Sequence, residues 1–337
     1  MRADTSPALP TDCVPADPKM PELKPCCSRL RAAPRLAAKL LHYGVPRHLV
    51  LFGPVSLGDD VLCTAIFREL ARRGERRRWM MSRHPGLFTR NPDVDRVVPI
   101  DDYHARILQH LGARVTQPYY FTDSADRSRH LPPPRPVIAQ MCRLAGITGE
   151  VALRPWLHLA PDEFARGRLA ERQIVMHSSG RAAGFAMANK EWYPDRFQAV
   201  ANSLASHFTI VQLGTPLDPP LRGAIDLRGK STLRESAAIV AASRVAICQV
   251  GFLMHLARAV DTRAVVIFGG VEDPAITGYT ANENLAAAVD CATCWRPNDC
   301  PHDRKCMEAI TPADVLSAVA RVDARFGEPL AVQTFKL

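Results

Sequence analysis

No stretch of this 337-residue chain has the ~20 consecutive apolar residues that a membrane-spanning helix needs, so no helical span is expected. The first 47 residues carry 8 of the 28 prolines and no apolar signal-peptide core, which argues against secretion and for a cytoplasmic protein. No G-x-G-x-x-G follows HLVLFG at 48–53, the first strand-like run, and this removes the usual fingerprint of a nicotinamide enzyme. Aromatic residues make up only 7% of the chain. Basic residues are dispersed apart from Arg72–Arg78 and the 24–39 segment, whereas a nucleic-acid surface would cluster them with interleaved aromatics on one face. Nucleic acid is therefore not an expected partner. Internal repeats of short period are absent.

What remains is ordinary globular composition, 47% hydrophobic and 23% charged, with a length suited to two domains of ~150 residues. The net charge of +9 suits an acidic partner such as anionic lipid headgroups or a phosphorylated sugar. Residues 1–28 are rich in proline and polar residues without periodicity, as expected of a disordered leader. In 29–43, Leu30, Leu36, Leu40 and Leu41 fall near one helical face with Arg31, Arg35 and Lys39 around it. Such a helix either makes peripheral contact with the anionic inner face of the cell membrane or packs on the domain with its charges solvated.

From residue 48 onward, strand-like and helix-like segments alternate. HLVLFG reads as a strand and 61–73 as its following helix. A short strand unit lies near DRVVPI, and 116–136 reads as a turn-rich loop facing the acceptor. A helix follows over 136–147. The domain change falls between 155 and 172, and strands recur near 173–178, 208–213, 245–250 and 264–268. Two such sets predict an α/β protein of two doubly wound Rossmann-like domains facing a cleft. The amino-terminal, acceptor-side domain spans 29–160 and the carboxyl-terminal donor domain 161–337.

The sharpest unit is Val245–Gly270, which reads strand, glycine turn, helix, strand. A turn of this kind aims free N–H groups at an anion outside the strand's carboxyl end. Gly251 opens the turn, and His255 lies in the first turn of the helix. Ser178 and Ser179 follow an earlier strand, where hydroxyls and N–H groups can reach phosphate. In SLGDD at 56–60, Asp59 or Asp60 either projects into the cleft as a general base or caps the next helix. Asp218 either accepts from a ribose hydroxyl or closes an ordinary turn. Four of the ten cysteines, Cys291, Cys294, Cys300 and Cys306, form Cys-x2-Cys-x5-Cys-x5-Cys around His302. In a reducing compartment this spacing suits a structural zinc or iron site, or it holds four reduced thiols. Placed before the last helix, the loop reads as a staple rather than a reaction centre.

Four blocks in order carry a family resemblance. These are VLFGPVSLGDDVLCTAIFREL, HSSG…NKEWYPDRFQAVANSL, DLRGKSTLRESAAIVAASRVAI and GFLMHLARAVDTRAVVIFGG. They resemble glycosyltransferase family 9, the ADP-heptose:lipopolysaccharide heptosyltransferases, across roughly residues 48–325. The resemblance implies a GT-B fold and an inverting transfer of heptose from ADP-heptose to a lipopolysaccharide-core or other saccharide acceptor, with no cofactor needed for the chemistry. It makes Asp59 the base and Lys190 the phosphate-binding lysine, and it has Gly269 and Gly270 close on the nucleotide. Related enzymes that modify autotransporter proteins resemble this chain in their four-cysteine iron site. The chain departs from the family pattern at Gln249 and Val250, where an acidic residue and a hydroxyl are usual. The segment from Gly251 to His255 is also one residue longer. Two alternatives therefore stand beside the saccharide transferase: a protein heptosyltransferase, and a non-catalytic metal-stapled binding relative.

Overall fold

A computed structural model describes residues 44–53, 57–125, 127–181 and 187–337. The leader and the basic helix expected at 29–43 lie outside the described residues. Within 45–337, a single compact unit, two parallel sheets are built from short buried strands. The first uses β1 (His48–Leu51), β2 (Arg78–Met81), β3 (Arg96–Val98) and β4 (Arg114–Thr116) in the order β3-β2-β1-β4. A small hairpin, β5 (Thr122–Asp123) with β6 (His130–Leu131), and β7 (Glu150–Ala152) follow.

The second sheet uses β8 (Gln173–His177), β9 (Thr209–Gln212), β10 (Ile225–Asp226), β11 (Val245–Gln249), β12 (Ala264–Gly269) and β13 (Glu283–Ala286). Their order, β10-β9-β8-β11-β12-β13, is parallel throughout. It has the 3-2-1-4-5-6 winding of a dinucleotide-type fold, and the α/β, doubly wound expectation holds. The final strand β14 (Thr334–Lys336) pairs antiparallel with β7, so the chain end returns to the first half.

This winding fixes where ligands can go. Strand order reverses between β1 and β4 and again between β8 and β11, and the crevice outside the carboxyl ends at such a reversal is the default binding place. The helix Leu57–Arg72 leaves the first reversal and packs against the helix Phe252–Ala259 that leaves the second. One buried core runs through both, from Val50, Ile66 and Phe67 to Leu253, Met254 and Val266. A second core under Trp192, Phe197, Val315 and Val319 closes the outer face of the larger sheet. Among the described residues no helix is long and apolar enough to cross a membrane.

One local expectation is corrected. The segment expected as a turn up to Asp60 forms, from Leu57 on, the first turn of the helix Leu57–Arg72. Acidic residues there and Arg72 in the last turn both complement the helix dipole. Gly58 is tolerated because the partner helix is close. A Cβ at 58 would stand 3.3 Å from His255 Cδ2 and in ordinary contact, 3.6 Å, with Phe252 Cα, so the His255 ring would have to give by a few tenths of an ångström.

Candidate active site

On the first reversal, Asp59 is almost fully buried, and its Oδ1 accepts a hydrogen bond from the Tyr120 hydroxyl at 3.0 Å. Tyr120 lies just beyond β4, so the two residues converge from the two strands flanking the crevice. Burial pushes the Tyr120 phenol well above its ordinary pKa, and the charges of Asp59 and then Glu272 push it further. The phenol is therefore a fixed donor at neutral pH. Asp60 faces elsewhere: its Oδ2 takes Ser82 Oγ at 2.5 Å and His84 Nδ1 at 2.9 Å. Burial raises the Asp60 pKa against those two bonds. Asp60 thus ties the helix start to the segment after β2, while Asp59 faces the aromatic loop.

On the second reversal, Gly251 begins the helix Phe252–Ala259 with φ 155°, a backbone state that favours glycine. The buried His255 imidazole is held at Nδ1 by the Tyr279 hydroxyl, 2.7 Å away. Burial pushes the Tyr279 phenol up, so it stays protonated and is able to donate to Nδ1, the arrangement in which the ring proton sits on Nε2. Burial lowers the His255 pKa to about 4, the Glu272 charge working against this and the Lys190 charge with it. His255 is accordingly a neutral N–H donor, with its Cδ2 edge beside Gly58.

The turn after β8 is organised by a residue that the sequence reading passed over. Buried Glu191 accepts from Gly180 N at 2.6 Å and Gln249 Nε2 at 2.6 Å on one oxygen, and from Ser179 Oγ at 2.8 Å on the other. Gln249 Oε1 in turn accepts from Trp192 N at 3.2 Å. Ser178 sits deeper, taking Gln212 Nε2 at 3.0 Å and giving its proton to Pro219 O at 3.2 Å. Trp192 is 1% exposed and donates Nε1 to Ile310 O at 3.0 Å. It anchors the short turn Ala188–Lys190, from which the Lys190 ammonium reaches the Glu272 carboxylate as an ion pair.

The remaining expected residues spread outward from this centre. Asp218 folds back on its own turn, accepting from Thr215 N at 2.7 Å with His177 Nε2 at 3.5 Å. Burial alone would raise its pKa, but the His177 and Thr215 hydrogen bonds outweigh burial and lower it. Gly269, at φ 61°, and Gly270 lie under the cysteine loop. A Cβ would meet Met307 at 2.7 Å from Gly269 and Cys306 Cβ at 2.9 Å from Gly270.

The cysteine loop does more than cover those glycines. Ala188 N donates to Asn298 Oδ1 at 2.9 Å, and Asn189 N donates to Pro297 O at 3.0 Å. Asn189 Nδ2 bonds Arg296 O and Asn298 O at 3.1 and 2.9 Å, and Arg304 bonds Glu191 O at 2.8 Å. Across the cleft, His130 N of the hairpin donates to Trp295 O at 2.9 Å. The loop therefore holds the lysine turn on one side and the hairpin on the other. Cys291, Cys294, Cys300 and Cys306 line one pocket with Asn189 and Arg129, all as free thiols. As placed, no three Cys, His, Asp or Glu side chains among the described residues close into a metal-ligand group.

No protein-family profile and no curated protein sequence matches this chain. Solved structures do match. The E. coli ADP-heptose lipopolysaccharide heptosyltransferase II superposes with TM-score 0.61 at 16% identity, covering 83% of this chain and 99% of that one. A glycosyltransferase family 9 protein from Veillonella parvula gives 0.59 at 14%, covering 83% and 97%. The iron-containing dodecameric glycosyltransferase TibC from enterotoxigenic E. coli gives 0.64 at 16%, covering 83% and 77%. The chain has the GT-B fold of these proteins and is heptosyltransferase-like in architecture, as the four sequence blocks imply.

Proposed function

We propose that this protein is an inverting glycosyltransferase that uses a nucleotide sugar. The observation that carries the reading is the meeting of the two reversals. A buried carboxylate aligned by a phenol, Asp59 with Tyr120, lies on one side. A glycine-led helix start, a neutral histidine donor and a lysine turn lie on the other. Transfer needs these two half-sites. Asp59 takes the proton of the acceptor hydroxyl, whose oxygen attacks the anomeric carbon from the face opposite the leaving group. The bond from that carbon to the diphosphate oxygen breaks. The developing charge falls on Lys190, His255 Nε2–H and the free N–H groups that follow Gly251, fixed donors of the kind that stabilise a leaving anion.

ADP-heptose is the proposed donor, supported by the sequence blocks and by the TibC complex with ADP-D-β-D-heptose. A lipopolysaccharide-core or other saccharide is the proposed acceptor. The four-cysteine loop, in which enzymes that modify autotransporter proteins resemble this chain, keeps a protein side chain as the second acceptor reading. The four thiols surround one pocket, and their donor set suits iron or zinc as a structural ion. When bound, the ion would cross-link the loop and leave no ligand position for substrate.

Calorimetry with ADP-, GDP- and UDP-sugars, followed by donor hydrolysis, tests the function. Selective binding and turnover of ADP-heptose are expected. Binding without any hydrolysis or transfer would instead mark a non-catalytic relative.

A further inference from the structure

Glu272 stands two residues past the Gly269–Gly270 pair that ends β12 and is 7% exposed. It forms an ion pair with Lys190, whose side chain is 13% exposed. Its charge is felt on both sides of the cleft. It raises the Tyr120 phenol on the base side and opposes the lowering of the His255 pKa on the donor side. A buried carboxylate next to the lysine assigned to a diphosphate works against anion binding. It neutralises the lysine and would repel the phosphates, so a site made only for a nucleotide gains nothing from it.

The position suggests a different ligand group. On the donor-site reading the anomeric carbon lies between Asp59 and the diphosphate, and Glu272, paired with Lys190 and near enough to act on both Tyr120 and His255, stands beside that path. The other donor-side carboxylate, Glu191, is held by Ser179, Gly180 and Gln249. Gln249 is neutral and engaged on both ends of its amide.

We propose, resting on the donor-site reading above, that Glu272 is the residue that recognises the transferred sugar. Its carboxylate accepts hydrogen bonds from that sugar's hydroxyls, while Lys190 lies between it and the diphosphate. A carboxylate accepts two such bonds and prefers a vicinal diol over a deoxygenated or apolar group. The site is therefore selective for a hydroxyl-rich sugar, and Lys190 exchanges part of its pairing with Glu272 for phosphate when the donor binds.

The test compares ADP with ADP-heptose by calorimetry on the full chain, in wild type and in Glu272→Gln. Wild type is expected to bind the nucleotide sugar more tightly than ADP. In Glu272→Gln, ADP affinity should hold or rise, because a repelling charge is gone. The advantage of ADP-heptose over ADP should shrink by about tenfold or more, the loss of hydrogen bonds to a charged acceptor. Glu272→Asp, measured alongside with a thermal melt, guards against a folding defect and should show the same selective loss to a smaller degree. An unchanged sugar-over-ADP ratio in folded variants overturns the proposal and leaves Glu272 as a mere counter-ion of Lys190. Equal loss of ADP and ADP-heptose overturns it in favour of a structural role. Wild type that binds no nucleotide overturns the donor-site reading itself, and this inference with it.

Discussion

Replacing Glu191 tests the donor half-site most directly, because one buried carboxylate there holds three donors from two segments, the Ser179–Gly180 turn and β11. Glu191→Ala removes the acceptor for Gly180 N, Gln249 Nε2 and Ser179 Oγ. The serine hydroxyl can turn elsewhere and the Gly180 amide is only half-buried, but the Gln249 side chain is buried. A buried donor left without a partner costs about 1–3 kcal/mol. With Gln249 stranded in full and Gly180 in part, the predicted loss is about 2–4 kcal/mol, a large share of the total stability of most domains. Glu191→Gln should cost less, about 1–2 kcal/mol. Its amide oxygen can face Gly180 and Gln249, and its NH2 can face Ser179 Oγ, so geometry survives while the charge is lost.

Urea denaturation with the slope compared between variants reads the stability term, and ADP calorimetry reads the consequence for the site. The Ser179–Gly180 turn is the part of the site that Glu191 holds, so nucleotide affinity should fall in both variants, more in Ala than in Gln. A further check exploits the contact to Gln249. Gln249→Glu alone sets two carboxylates against each other at one short contact and should destabilise strongly at neutral pH. Adding Glu191→Gln should recover part of that loss. Glu191→Ala within about 0.5 kcal/mol of wild type, or no recovery in the exchanged pair, would refute the reasoning.

The remaining expectations are brief. Asp59→Asn should lower kcat by about 10²–10⁴-fold, the range for a lost general base, with ADP affinity nearly constant; wild-type turnover would remove Asp59 from the mechanism. Tyr120→Phe should cut kcat by about tenfold at unchanged ADP affinity, the effect of one lost hydrogen bond to a carboxylate, and an equal drop in ADP affinity would mean the phenol serves folding only. His255 has its folded pKa lowered to about 4 from 6.5, so the unfolded chain binds the extra proton between those values. Stability should therefore rise with pH across about 4 to 6.5, by on the order of 3 kcal/mol. His255→Gln should flatten that rise, and identical stability–pH curves for the two proteins would count against a buried neutral imidazole.

The doubly wound pattern was legible because parallel strands buried on both faces read as continuous apolar runs, as QIVMH, VAICQ and AVVIFG do. β2 was not legible. Its strand RWMM opens on an arginine after two other arginines, and local pattern gives no reason to bury Arg78. The reason is distant: Asp95 takes the Arg78 backbone N–H at 2.7 Å and its guanidinium at 3.1 Å, and Arg96 lies over Trp79. The same limit applies in the site. Lys190, Gly251 and His255 announce themselves by position after a strand or at a helix start. Glu191, Glu272 and Tyr120 acquire roles only through partners that the fold brings from 11 to 82 residues away.

The cysteine loop shows how a local reading can misplace a consequence. Its spacing suggests a staple, and a staple remote from the chemistry would leave donor binding alone when cut. The hydrogen bonds place it differently. Asn189, next to Lys190, has its backbone N–H and side-chain amide on loop carbonyls, and Arg304 holds the Glu191 carbonyl. The opposite edge of the loop takes the hairpin amide of His130. Opening the loop should therefore loosen the lysine turn and the hairpin together. If a metal closes the loop, Cys294→Ser should lower metal content, measured by elemental analysis after anaerobic purification, and lower the melting temperature. The bonds to Asn189 add a third effect, weaker ADP binding in the folded fraction. Asn189→Ala should weaken ADP binding without touching metal content, which separates the scaffold from the ion. Metal-free wild type that melts and binds ADP as the metal-loaded protein does would show that the loop needs no ion. A Cys294→Ser variant with normal ADP affinity would show that the lysine turn stands without the loop.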